Sequence, residues 1–184
     1  MTVLVAGLFA ATAACGGKDA ASSAGEPSSS AAAPSAVVAP FEEHAIENEC
    51  VLSAAEISAL AGVGLGAGQD TETKRADGSS GRSCKYHLTE GGPLSFTATI
   101  KVMRPHEGPV TDAMITRLIK PSTHRVPGVG RAVLIETKSD FPQAWVFTDK
   151  LITSVVLVGS NVPTLPTDEQ WTIAAQQIVG KLPT

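Results

Sequence analysis

The chain has 184 residues, of which 43% are hydrophobic and 17% are charged, a balance typical of a globular protein rather than a disordered one. Its net charge of −4 argues against a nucleic-acid-binding protein, which needs a concentrated basic surface. The sequence contains no run of 18 apolar residues and therefore predicts no helix that spans a bilayer.

The first element is an apolar run over residues 3–14 that has the length of a signal-peptide core. It ends in TAAC, which resembles the bacterial lipobox, where the cysteine becomes the lipid-bearing first residue of the mature chain. We therefore predict a signal peptide over residues 1–14 and lipidation of Cys15. The usual positively charged start is absent from the first three residues, which leaves either a start further upstream or an accidental resemblance. A cysteine buried in a short apolar helix is the other interpretation.

Residues 15–45 are predicted to be the lipidated cysteine followed by a linker of Ala, Ser, Gly and Pro with few charges. Such a composition buries too little apolar surface to offset the entropy of ordering, so we expect a flexible tether. One acyl chain such as palmitate holds a protein on a bilayer only reversibly, whereas two or three hold it firmly. The expected location is the extracytoplasmic face of the cell membrane, with a single folded domain over residues 46–184.

Four acidic residues precede the first cysteine of the predicted domain: Glu42, Glu43, Glu47 and Glu49. They could bind a cation, but a solvated acidic segment is the commoner meaning of such a cluster. Cys50 follows, and Cys84 is the remaining cysteine. In an oxidising compartment two such cysteines most simply form a disulfide. A zinc site and a reactive thiol are the alternatives, although neither CxxC nor paired histidines accompany the two cysteines.

Capping signals predict the first helix. Ser53 and Glu56 form a capping box, and Gly62 stands where a left-handed C-terminal cap belongs. The segment GVGLGAG, residues 62–68, is similar to a phosphate-binding loop, but its glycine spacing fits no such motif and it follows a helix rather than a strand. We interpret it as the helix cap and a flexible loop.

Alternation and turn signals predict five strands. Two of them, 83–88 and 94–102, are joined by the loop TEGGP, and the second alternates between apolar and polar residues. A short helix is capped by Thr111 and stopped before Pro121. After the turn RVPGVG, three further strands follow at 132–137, 143–148 and 151–158. The last is apolar on both sides, so we expect it near the centre of the sheet.

The last predicted element is a helix with a second capping box, formed by Thr167 and Gln170. Apolar residues recur along it with helical spacing: Trp171, Ala174, Ala175, Ile178, Val179 and Leu182. Because the strands are joined by short hairpins, we predict an α+β fold. It has an antiparallel sheet of about five strands with about three helices, mainly on one face.

Motifs of known catalytic chemistry are missing from the sequence. HExxH, GxSxG and SxxK do not occur, and the four histidines lie far apart: His44, His87, His106 and His124. We therefore expect surface histidines, no metal site, no cofactor and no enzymatic activity. If a ligand cavity lies between the sheet and the helices, Trp145 and Trp171 could line it.

Three segments together resemble a family of actinobacterial envelope lipoproteins of unknown function: NECVLSAAEISALAG, GRSCKYH and VPGVGRAVLIE. The pattern shared with that family is CxLLTxxE, a second cysteine and VPGxG, and it covers about residues 48–182. The chain departs from it at Tyr86, where tryptophan is frequent, and at Arg131, where an acid is usual. The resemblance implies an exported, lipid-anchored α+β domain with a Cys50–Cys84 disulfide and no catalytic residues.

These observations lead us to expect a non-catalytic envelope lipoprotein that binds a small apolar ligand or a partner protein. One alternative is an envelope hydrolase whose catalytic groups converge only in three dimensions, which would show a cleft joining His87 or His106 to an acid and a hydroxyl. The other is a structural or inhibitory module, which would have no cavity and a flat apolar patch.

Overall fold

The computed structural model describes residues 41–90, 96–137, 141–159 and 164–183. The predicted signal peptide, Cys15, the linker up to residue 40 and most of the loop TEGGP lie outside these ranges. The described residues form three helices: α1 (Ala54–Ala61), α2 (Asp112–Arg117) and α3 (Asp168–Lys181). None of these helices has the length and apolar character needed to cross a bilayer. The same residues form eight strands: β1 (Phe41–Glu42), β2 (Gln69–Lys74), β3 (Ser80–His87), β4 (Phe96–Pro105), β5 (Thr123–Val126), β6 (Ala132–Glu136), β7 (Gln143–Phe147) and β8 (Ile152–Gly159).

The eight strands form one sheet, and every strand pair in it is antiparallel. The order β2-β3-β4-β8-β7-β6-β5 joins two meanders, and β1 pairs with the end of β4 outside this path. The meanders meet where β8 pairs with β4 over eight residue pairs, from Phe96–Gly159 to Met103–Ile152. The predicted α+β class and the central position of the last strand are confirmed.

The predicted number of about five strands is wrong, because β1, β2 and β5 were not recognised. Strand β2 is QDTETK, which has no apolar residue, and β5 has only four residues. Both lie at the edges of the sheet, where side chains remain in water and no apolar alternation is required. Strand β1 lies inside the predicted linker, and its residues Phe41 and Glu42 pair with Pro105 and Arg104. Strand pairing in the sheet therefore includes residues that precede the predicted boundary at residue 46.

Two apolar clusters form on opposite faces of the sheet. In β7, Ala144 and Val146 contribute to the cluster that also contains residues of α1 and α3. The alternate residues of β7, Trp145 and Phe147, contribute to the cluster that contains Ile115 of α2. Because side chains alternate across a strand, the sheet separates the two clusters.

The predicted capping signals are confirmed at both longer helices. Ser53 and Glu56 form the capping box of α1, and Thr167 and Gln170 form that of α3. Gly62 caps the end of α1 with a φ of 69°. Helix α2 begins after Thr111 as expected but ends at Arg117, well before Pro121.

The loop over residues 62–68 is held more firmly than we expected. The backbone N–H of Gly66 donates to the carbonyl oxygen of His87 at 2.9 Å, and Leu65 forms an isolated bridge with Leu88. Leu65 is also buried. The loop therefore extends the edge of the sheet next to β3, and its glycines serve a structural role.

Candidate binding cleft

An open cleft of about 360 Å³ lies where the turn before β6, the β7–β8 turn and the end of α3 meet. This volume falls at the lower end of the range of small-ligand sites, about 300–1,000 Å³. The lining residues are Gly130, Arg131, Thr148, Asp149, Lys150, Val179, Leu182 and Pro183. The end of α3 therefore contributes an apolar wall, and the two turns contribute charged and hydroxyl groups.

The turn before β6 forms one side of the cleft because glycine allows a close backbone approach. Gly130 has a φ of 53°, and a Cβ at this position would lie 2.5 Å from the carbonyl oxygen of Phe147. The same oxygen accepts a hydrogen bond from the backbone N–H of Arg131 at 2.8 Å. The VPGVG segment thus packs onto the end of β7 and places Arg131 at the edge of the cleft.

The β7–β8 turn forms the second side, and backbone and side-chain hydrogen bonds hold it. The Thr148 N–H donates to the Leu151 carbonyl oxygen at 2.9 Å, and the Thr148 hydroxyl accepts from the Leu151 N–H at 2.9 Å. From outside the hairpin, the Val110 N–H donates to the carbonyl oxygen of Asp149 at 2.8 Å. The backbone of Asp149 and Lys150 is therefore fixed before any ligand arrives.

The two cations that line the cleft differ in whether they have acidic partners. Arg131 lies 3.2 Å from an oxygen of Asp112 and 3.7 Å from an oxygen of Asp149, and these two carboxylates are 83% and 86% exposed. Ion pairs this exposed contribute less than about 1 kcal/mol. Lys150 is exposed and forms no ion pair with any residue that the structure describes. It is therefore an unneutralised positive charge at the cleft.

A second open cavity, of about 260 Å³, adjoins the cleft and shares Lys150 and Pro183 with it. Leu151 and Ala45 are among its apolar lining residues, and Arg104 lines it as well. Arg104 is already paired with Glu42 at 2.5 Å, and this hydrogen bond lowers the pKa of the Glu42 carboxyl. Lys150 thus lies between two cavities whose other cations have acidic partners.

The predicted disulfide between Cys50 and Cys84 is confirmed. It joins the segment before α1 to β3, and a Cβ at Gly68 would come within 2.8 Å of both sulfur atoms. The hydroxyl of Tyr86, two residues beyond Cys84, donates to the carbonyl oxygen of Leu52 at 2.6 Å. Burial raises the pKa of Tyr86 to about 12. The disulfide is therefore a packed structural bridge.

The four predicted acidic residues do not form one solvated cluster. Glu42 pairs with Arg104, Glu43 pairs with Arg75, and Glu47 is exposed. The expectation is wrong for Glu49, whose side chain is fully buried. No described set of three His, Cys, Asp or Glu residues is placed to hold a metal ion.

Glu49 is held by β4. One carboxylate oxygen accepts a hydrogen bond from the Val102 N–H at 2.5 Å, and the other has no hydrogen-bond partner among the described residues. Removal from water disfavours the charged form and raises the pKa of Glu49 to about 7. No sequence signal distinguished Glu49 from its solvated neighbours, because its burial depends on the docking of residues 46–52 against the sheet.

The structure does not bring the two predicted pocket tryptophans together. Trp171 is 1% exposed in the cluster beneath α1 and α3, whereas Trp145 lies on the opposite face of the sheet. The Lys120 ammonium group lies 5.9 Å from the centre of the Trp145 ring. Neither tryptophan lines the cleft, the adjoining cavity or a third, small cavity of about 60 Å³ between α1 and α3.

The histidines lie at separate places. His124 contacts Asp168 at 2.9 Å, and His44 lies 3.3 Å from a guanidinium nitrogen of Arg82. A ring nitrogen of His87 lies 3.4 Å from the Thr97 hydroxyl, and His106 is exposed. Within the part of the chain that the structure describes, no hydrogen bond or ion pair joins His87 or His106 to a carboxylate.

Comparison with protein-family models, with curated proteins and with solved structures finds no match to this chain. The cleft residues themselves were not predicted as a site. The sequence marks only the two turns that border the cleft, by the glycines of VPGVG and by the Asp-Lys pair between two predicted strands. The apolar wall was not predicted, because Val179 and Leu182 fit the helical spacing of the other apolar residues along α3.

Proposed function

We propose that this protein is an exported lipoprotein of the cell envelope, anchored to the membrane through Cys15, whose folded part binds a ligand or partner without catalysis. The disulfide supports export, because structural disulfides persist in oxidising compartments and are rare in the cytosol. The lipobox-like TAAC at the end of an apolar run supports the anchor.

The observation that carries the binding proposal is the open cleft beside Gly130 and Lys150. It combines an apolar wall, a fixed backbone and a positive charge without an acidic partner among the described residues. A concave site of this kind fits ligand binding better than a structural module with a flat apolar patch. The hydrolase alternative lacks a supporting contact, since His87 and His106 have no described carboxylate partner.

The anchor is tested by replacing Cys15 in the native host. The wild-type chain is expected in the membrane fraction, carrying the mass of a diacylglycerol group on Cys15. Cys15→Ala should be unprocessed or released, because alanine has no sulfur to alkylate. The matched control is Ser28→Ala, a change of similar size within the predicted linker, which should leave processing unchanged. A membrane-bound wild-type chain whose Cys15 carries no diacylglycerol mass would exclude lipidation at this residue.

A partner protein is tested by crosslinking in intact cells followed by mass spectrometry. If the folded part binds an envelope protein, crosslinks should map to lysines next to the cleft, with Lys150 among them. Crosslinks confined to Lys74, on edge strand β2, would place the binding surface elsewhere.

A further inference from the structure

We propose that the cleft binds a single-chain amphiphilic anion, a carboxylate that carries an apolar tail. The carboxylate would bind at Lys150, and the tail would lie against the end of α3. This inference rests on the proposed function, because it names the ligand class of the proposed binding site.

The charge of the ligand follows from the ion pairs around the cleft. Arg131 and Arg104 each have an acidic partner, whereas Lys150 has none among the described residues. The pairs made by Arg131 involve carboxylates that are more than 80% exposed, so a ligand anion can compete for its guanidinium group at little cost. A single negative charge at the cleft would complement Lys150 without leaving another group unpaired.

The apolar tail follows from the apolar residues that line the same cleft as these charges. Val179, Leu182 and Pro183 line the cleft at the end of α3. Leu151 and Ala45 continue the apolar lining in the adjoining cavity, which shares Lys150 and Pro183 with the cleft. A molecule bound at Lys150 can therefore extend an apolar segment in either direction, and its burial would be favourable in proportion to the area covered.

The backbone around the proposed site is set in the free protein. The Thr148–Leu151 hydrogen bonds and the Val110–Asp149 hydrogen bond hold the turn that carries Lys150. Gly130 holds the facing turn against Phe147. Ligand binding would then order the Lys150 side chain and little else, which limits the entropic cost of association.

The test is calorimetric titration of the purified, unlipidated full chain, with its disulfide formed, with sodium decanoate below its micelle concentration. Decanoate is expected to bind with one-to-one stoichiometry, and Lys150→Gln should weaken binding roughly two- to fivefold, the effect of removing one exposed charge pair. The matched control is Lys74→Gln, since Lys74 is an exposed lysine on edge strand β2. The affinity of the Lys74→Gln variant for decanoate should equal that of the wild type.

The apolar wall is tested separately by Val179→Glu, which places a negative charge beside the tail and should weaken decanoate binding at least as much as Lys150→Gln. Gln176→Glu, at an exposed position on the same helix, is its control. Thermal unfolding of each variant shows whether a loss of binding reflects a loss of fold. If Val179→Glu unfolds the chain, the comparison of decanoate with acetate on the wild type decides whether the tail contributes to binding.

Three ligand comparisons can overturn the proposal. Decanol binding as tightly as decanoate, with no effect of Lys150→Gln, would show an apolar pocket without charge recognition. Acetate binding as tightly as decanoate would remove the role of the tail. Binding to phosphatidylglycerol vesicles without binding to decanoate would identify a membrane surface as the target. Absence of decanoate binding to folded protein would refute this inference but not the proposed function, which the Cys15 and crosslinking experiments test independently.

Discussion

Two regions of the molecule differ in whether their polar groups are buried or exposed. In the cystine corner, which we define as residues 49–52, Cys84 and Tyr86, the Tyr86 and Glu49 side chains are buried and bonded to backbone. The Tyr86 hydroxyl donates to Leu52, and one oxygen of Glu49 accepts from Val102. In the cleft, the charges of Arg131, Asp149 and Lys150 remain at the surface. A buried bonded group stabilises the fold, whereas an exposed charge stays available to a ligand. We therefore expect changes in the corner to alter stability and changes to cleft charges to alter binding.

The largest expected effect comes from removing the disulfide. The double variant Cys50→Ala/Cys84→Ala should lower the free energy of unfolding by about 3–4 kcal/mol, because the bridge closes a loop of 34 residues in the unfolded chain. Urea denaturation of the full chain measures this. Cys15→Ala is the control and should leave stability unchanged. A loss below about 1 kcal/mol would show that the bridge is not the main constraint on the corner.

The next prediction compares the stability lost by substituting two glycines of the same turn. Gly128→Ala places a side chain at a φ of 90° with no atom within 4 Å, so it should cost about 1–2 kcal/mol from the backbone alone. Gly130→Ala also forces a Cβ to within 2.5 Å of the Phe147 carbonyl oxygen, which should add about 1 kcal/mol or more. The measurement is urea denaturation of the two variants side by side. Equal losses of unfolding free energy in the two variants would mean that the turn can move away from β7 with no loss of stability.

Glu49 should make the stability of the folded part depend on pH. Its pKa is raised to about 7 in the folded protein from 4.5, so the folded state holds more protons than the unfolded state between these values. The contribution of Glu49 to stability should therefore be fully present below pH 4.5 and be lost as the pH rises through 7, a loss of about 3 kcal/mol. The neutral amide of Glu49→Gln can still accept a hydrogen bond from Val102. The unfolding free energy of this variant should therefore not decrease as the pH rises through 7.

The Glu49 experiment compares unfolding free energies at pH 4.5 and pH 8 for the wild type, Glu49→Gln and Glu47→Gln. Glu47 is exposed two residues away, so its variant should retain the wild-type slope. Asp70, Arg82 and Lys101 also act on the Glu49 charge, and all three remain in every protein compared. Hydrogen bonding to Lys181 lowers the pKa of Glu56 to about 2, so its contribution to stability begins to fall near pH 4.5, but it is the same in all three proteins. Identical slopes in the wild type and Glu49→Gln would show that Glu49 is not the titrating group.

Sequence patterns predicted the elements whose signals are local. The capping boxes of α1 and α3 lie within four residues, and the alternation of β4 lies within one strand. These signals depend on hydrogen bonds and periodicity that a short segment makes by itself. The disulfide was predicted because two cysteines remain after Cys15 and an oxidising compartment was expected. This prediction required no knowledge of the fold.

The edge strands, the burial of Glu49 and the cleft depend on contacts between distant segments. Strand β2 is polar throughout and becomes a strand by pairing with β3. Glu49 is buried because its carboxylate meets the Val102 N–H, 53 residues away in sequence. The cleft joins residues near positions 130, 150 and 180, and no local pattern encodes their meeting. The sequence by itself thus determined the helices, the central strands and the cystine. Only the tertiary structure decided which polar groups were buried and which were left facing a cavity, because desolvation depends on everything packed around a group rather than on its neighbours in the chain.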